Sequence, residues 1–126
     1  MRNIIILCSV LGIAILATTV GLMIRPERYG EPFTSDVVTP LTSVITEPDT
    51  YLDKPLLIEG IVTRQCALTG CFFFFAVGEQ RLRIELSEVA LSLPQRKGYR
   101  ARVAGTLQRQ SGSLVFNAKS VQFFRR

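Results

Sequence analysis

Hydrophobic positions along this chain fall into two different patterns. From Ile4 to Ile24 there are 21 residues without a charge, and Ser9, Thr18 and Thr19 are the only polar side chains among them. Coiled as an α-helix at about 1.5 Å per residue, such a run reaches roughly 31 Å, the thickness of a bilayer's hydrocarbon core. A cleaved signal peptide has an apolar region of about 7–15 residues ending in a small-x-small site. Here the run is longer and ends in Thr19-Val20-Gly21. Residues 1–24 are therefore expected to be an uncleaved signal-anchor, a single transmembrane helix meeting the lipid bilayer through residues 4–24. Cys8 reads as a plain apolar residue within it.

The rest of the chain has short periods. Residues 25–39 carry Pro26, Gly30 and Pro32 with no apolar period, the pattern of an extended linker. Thr39-Pro40 is a helix start, with Thr as N-cap and Pro at the first helical position. Leu41, Val44 and Ile45 then share a face until Pro48 interrupts, so one short helix or two turns should end near Tyr51. Five strand-like runs follow. Leu56 to Gln65 is rich in branched residues and has Gly60 at its centre, where a bulge or sharp coil is expected. Phe72 to Val77 is continuously apolar, and Arg81 to Leu86 alternates with period two. Ser87 to Pro94 is a short connection. Tyr99 to Leu107 alternates again, Gln110 to Ser113 is a turn, and Leu114 to Phe124 is the last strand. An open sheet of five short strands would leave apolar edges, which closure removes. The expected fold class is mainly β: one transmembrane helix, then a small five-stranded OB-fold-like barrel over 40–126 with a short leading helix.

Phe72-Phe73-Phe74-Phe75 sharpens that picture, because a barrel strand has one inward face. In the simplest hairpin Cys66 pairs with Cys71, Arg64 with Phe73 and Val62 with Phe75. One face then holds Ile58, Val62, Phe73, Phe75 and Val77. The other holds Leu57, Ile61, Phe72 and Phe74, to be covered by the leading helix or by a docking partner. A shift of one residue exchanges the two sets.

The net charge of +5 is unevenly distributed. Residues 25–88 hold six Lys/Arg against ten Asp/Glu, whereas residues 89–126 hold eight Lys/Arg and no acid. A basic last third suits phosphates, anionic lipid or an acidic protein, or is the solvated face of two strands. Arg100 and Arg102 are its candidate surface. With Arg81, Arg83, Phe72 and Phe74 they have the ingredients of a single-strand nucleic-acid groove. Export argues against nucleic acid as a partner. Charge near the helix ends is balanced, Arg2 and the amine against Arg25 and Arg28. The two-residue tail before the apolar run suits a cytoplasmic N-terminus and an extracytoplasmic C-terminal domain, on the periplasmic side if bacterial.

Cys66 and Cys71 flank a four-residue turn. Directly opposed hairpin positions put Cβ atoms about 4.5–5.5 Å apart, so a disulfide is the expected state, worth roughly 2 kcal/mol on the chain-entropy model. Free thiols and a redox pair are the alternatives. A metal would need further soft ligands from a chain with no His. Without His there is also no triad or imidazole base, and no phosphate loop or distinctive carboxylate pair is present. No enzyme activity, metal or cofactor is expected.

From Ile45 to Thr63 the chain reads ITEPDTYLDKPLLIEGIVT, a short helix, then Pro48-x-x-Tyr51-x-x-Lys54, then an apolar alternation across Gly60. This resembles the opening of exported bacterial OB-fold domains of the anticodon-binding-like (tRNA_anti-like) group. Some members also carry a cysteine pair ending in Gly-Cys-aromatic, as Cys66 to Phe72 does here. That aromatic is often Trp, whereas this chain has none. The likeness spans 45–124 and implies a fold, not an activity.

The functional expectation is a non-catalytic, membrane-anchored binding module, an accessory or assembly subunit of a larger membrane complex. Other membrane protein subunits are its expected partners, met through Leu57, Ile61, Phe72, Phe74, Arg81 and Arg83. Two alternatives stay open: an exported binder of nucleic acid, glycan or anionic lipid through the basic third, and a thiol-redox or maturation factor using Cys66 and Cys71.

Overall fold

The computed structural model describes residues 2–23 and 26–124, with side chains of the first helix described as far as Thr18. Helix α1, Arg2–Met23, has 22 residues. Among the described residues no helix is long and apolar enough to cross a membrane. Ile24 and Arg25, where the expected anchor meets the expected linker, lie outside the described residues.

Among the described residues six strands follow: β1 (Glu27–Gly30), β2 (Pro55–Gln65), β3 (Phe72–Val77), β4 (Gln80–Glu85), β5 (Arg100–Gln110) and β6 (Ser113–Phe124). Two short helices, α2 (Leu41–Thr46) and α3 (Pro48–Tyr51), precede β2. Strands β2 to β6 close a five-stranded barrel. Antiparallel pairs join β3 to β2 and β4, and β5 to β2 and β6. Parallel pairing of Arg83–Glu85 with Val115–Asn117 completes the ring. Alternation then does what the period-two pattern predicts. Ile58, Val62, Phe73, Phe75, Leu82, Ile84, Val103, Leu107, Phe116 and Val121 point inward and are buried.

Three local expectations are corrected. The segment expected as a free linker contains β1, which pairs with β6 from Glu27 opposite Phe123 to Gly30 opposite Ser120. Strand β4 pairs with β6 only as far as Asn117, so the rest of that edge offers unpaired backbone groups, and β1 satisfies them. At α2, Pro40 rather than Thr39 is the N-cap residue, with no side-chain cap hydrogen bond; the Thr39 N–H is donated to the Leu57 carbonyl at 2.8 Å. The register irregularity in β2 lies between Val62 and Arg64, not at Gly60. Gly60 instead admits the ring of Phe75: a Cβ there would stand 2.7 Å from Phe75 Cγ.

Pro48 does divide the leading helix, ending α2 and opening α3. Its apolar face has a different destination from the outer sheet face. Val44 is completely buried in the barrel core, with Leu41 and Ile45 packed partly buried against it. Residues 31–39 take the covering role at one place. They are tied by Glu31 N–H to Lys119 O at 3.2 Å and by Thr39 N–H to Leu57 O. Beneath them lie Leu57, only 5% exposed, and a cavity of about 380 Å³ bordered by Pro32, Val37, Leu57, Ala104 and Lys119.

Candidate docking face and cysteine turn

Strand β3 turns Phe72 and Phe74 outward, and both remain half-buried. Their ring centroids are 5.9 Å apart with planes at 83°, the edge-to-face arrangement that aromatic quadrupoles favour. Arg83 stands opposite Phe74 on β4. Its guanidinium lies 4.1 Å from the Phe72 ring centroid and donates from Nε and Nη2 to Glu85 Oε2 at 3.2 and 3.1 Å. Stack and ion pair together hold that arginine against the ring. On the neighbouring strand Ile61 is 49% exposed, and the Thr63 hydroxyl donates to the Phe74 carbonyl at 3.1 Å. Arg81, opposite Ala76, is exposed at the same sheet edge. Of the expected apolar set, Ile61, Phe72 and Phe74 share accessible surface. Leu57 does not, because the 31–39 segment covers it.

The basic residues are arranged differently from their reading as a cationic surface. Glu59 sits between Arg100 and Arg102, pairing with them at 3.3 and 2.8 Å. The same two guanidinium groups lie 4.6 and 5.3 Å from the Phe124 ring centroid. Phe124 was not singled out in the sequence; its signal was Phe123-Phe124, since period two sends one of two adjacent rings outward. Arg96 donates from Nη2 to Glu27 Oε1 at 2.9 Å. That bond, opposed by partial burial, raises the Arg96 pKa above its ordinary value. Burial first, then the bond to Glu27, pushes the Tyr29 phenol upward as well. Arg109 pairs with Asp49 at 2.9 Å and Lys119 with Glu88 at 3.8 Å. The acidic stretch thus folds against the basic last third, and much of the linear charge imbalance is met internally.

The cysteines depart from the simple hairpin. The shift between Val62 and Arg64 places Gln65 opposite Phe73, and the Cys66 N–H bonds the Phe72 carbonyl at 3.0 Å. Cys66 and Cys71 are therefore not opposed, and both are free thiols, so the expected disulfide is not formed. The backbone N–H groups of Thr69 and Leu68 beside the Cys66 thiol, with smaller effects from the Cys71 and Thr69 side chains, favour its thiolate. The two backbone donors are the main cause of a Cys66 pKa lowered to about 7. Among the described residues, no group of three or more His, Cys, Asp or Glu could hold a metal.

No family model matches this chain, and no curated protein matches it. Among solved structures, one titled as the hypothetical protein ygiW from E. coli superposes with a TM-score of 0.53 at 11% identity, covering 75% of this chain and 99% of that one. At that identity the likeness concerns the fold alone. Together with the closed five-stranded ring, it gives this chain an OB-like barrel.

Proposed function

We propose that this protein is a non-catalytic, membrane-anchored OB-like module that docks onto another membrane protein through the outer face of β3. The observation that carries the reading is the half-exposed Phe72–Phe74 pair. Arg83 is stacked on it and Ile61 lies beside it, while α2 is spent on filling the core. Half-buried rings next to a held arginine are the composition of an interface hot spot. Anchoring is supported by the uncharged run 4–24, which as an α-helix would reach roughly 31 Å. In this reading the domain lies on the extracytoplasmic side. Only three residues separate Met23 from Glu27, the start of β1, so the barrel sits within about 14 Å of the helix end. Its partner is then close to the membrane surface. Glu59 between Arg100 and Arg102 argues against the anionic-ligand alternative.

The test is co-purification of the tagged full-length chain in mild detergent, beside a variant carrying Phe72→Ser and Phe74→Ser. The variant should lose its co-eluting membrane protein while staying in the detergent fraction. Recovery of the same partner by both proteins rules this face out.

A further inference from the structure

We propose that the cavity beneath residues 31–39 is a binding site for a free apolar α-amino acid, its zwitterionic head at Glu31 and Lys119 and its side chain over Leu57 and Ala104. The site uses none of the residues of the docking face on β3.

Roof and floor have separate origins. Leu57 on β2, Ala104 on β5 and Ser120 on β6 stand in one row across the outer sheet face. Gly30 continues that row on β1. Its φ of +84° turns the chain back over the sheet, and a Cβ there would collide with the Lys119 carbonyl. The strap that follows is tied down at Lys119 O and at Leu57 O, two strand spacings, roughly 10 Å, apart. Fully extended, residues 31–39 would reach roughly 27 Å. The excess length arches off the sheet, and the small side chains of Ala104 and Ser120 leave the space beneath it open. Its volume of about 380 Å³ falls at the lower end of the roughly 300–1,000 Å³ found for small-molecule pockets.

The floor holds a polar group in need of a partner. Ser120 is only 2% exposed, and its hydroxyl makes no hydrogen bond to any described residue. Among the described residues no fully enclosed side-chain nitrogen or oxygen lacks a partner, so this oxygen is reached through the cavity that Ser120 borders. Leaving a hydroxyl unmet at such depth is costly, and a polar group on the occupant removes that cost.

Charge narrows the class of occupant. Glu31 and Lys119 both border the cavity, and they enter at the same end, because the Glu31 N–H bonds the Lys119 carbonyl at 3.2 Å. Among the described residues Glu31 makes no ion pair, and Lys119 makes only a loose one with Glu88 at 3.8 Å, both side chains more than half exposed. An occupant with a carboxylate alone would set it against Glu31, and one with an ammonium alone would set it against Lys119. An α-amino acid carries both charges on one carbon. Its carboxylate displaces the loose Glu88 pair at little cost, and its apolar side chain lies against Val37, Leu57 and Ala104.

The experiment uses the full chain in a steroid-glycoside detergent, which has no alkyl chain to enter the cavity, with L-leucine and L-phenylalanine as probes. At least one should titrate to a single site by calorimetry. The analogues without the ammonium (isocaproate, hydrocinnamate) or without the carboxylate (isoamylamine, phenethylamine) should bind about tenfold more weakly, the weight of one hydrogen-bonded charge. Ala104→Leu fills the floor and should abolish binding without lowering the thermal transition. Ser120→Ala should weaken binding several-fold, also without lowering the transition, since no hydrogen bond within the protein is lost. Glu31→Gln should erase the preference for the amino acid over its analogue without the ammonium. Failure of both amino acids to bind overturns the proposal. So does a single-charge analogue that binds the native chain as tightly as its parent, or binding that survives both Ala104→Leu and Ser120→Ala unchanged.

Discussion

The four phenylalanines of β3 are chemically identical, but alternate ones face opposite surroundings. Phe73 and Phe75 are completely buried, tilted against each other with centroids 5.3 Å apart, and Phe73 also meets Phe123 at 6.2 Å. Phe72 and Phe74 touch each other, an arginine and water. A side chain's energetic weight therefore comes from what it displaces and contacts, and neighbours in sequence can differ by several kcal/mol in what they contribute. The inward pair holds the barrel together. The outward pair is free to serve something else.

Four changes break or sharpen that contrast, in falling order of effect. Phe73→Ser with Phe75→Ser should abolish the cooperative thermal transition, since truncating each buried ring costs about 3–5 kcal/mol against a total stability of about 5–15. Gly60→Ala forces the Phe75 ring aside from a contact of 2.7 Å. Overpacking of this kind costs about 1–3 kcal/mol, read as a lowered Tm. Phe72→Ser with Phe74→Ser should cost less than the inward pair and leave a folded barrel by circular dichroism. Equal unfolding by the two pairs would erase the distinction between the faces. Glu59→Gln should change stability least, within about 1 kcal/mol for a partly exposed ion-pair network. It should also release Arg100 and Arg102 and increase retention on heparin. Unchanged retention would show that Glu59 does not govern that surface.

The strands and their inward faces were legible because alternation is local. Leu82 and Ile84 in β4, or Ala101 and Val103 in β5, announce their side of the sheet to within a few residues. The outward placement of Phe72 and Phe74 followed from the same rule. The candidate site was only partly legible. Leu57 has the right parity for the outer face, but its fate depends on a covering segment about 20 residues earlier in the chain, and no periodicity encodes that contact. The cysteine pairing failed because one irregularity between Val62 and Arg64 shifts everything beyond it by one position.

By itself the sequence determined the uncharged opening run, the break at Pro48, the five-strand rhythm and the alternate faces of β3. All of these follow from side-chain volume and polarity at neighbouring positions. Tertiary structure decided the rest: β1 on the open edge of β6, α2 inside the core, the strap over Leu57, and the neutralising contacts of the basic last third. Arg96 reaches Glu27 across 69 residues of sequence. A pairing of that range depends on which barrel edges remain open after the others have closed, and that is a property of the assembled fold rather than of either segment.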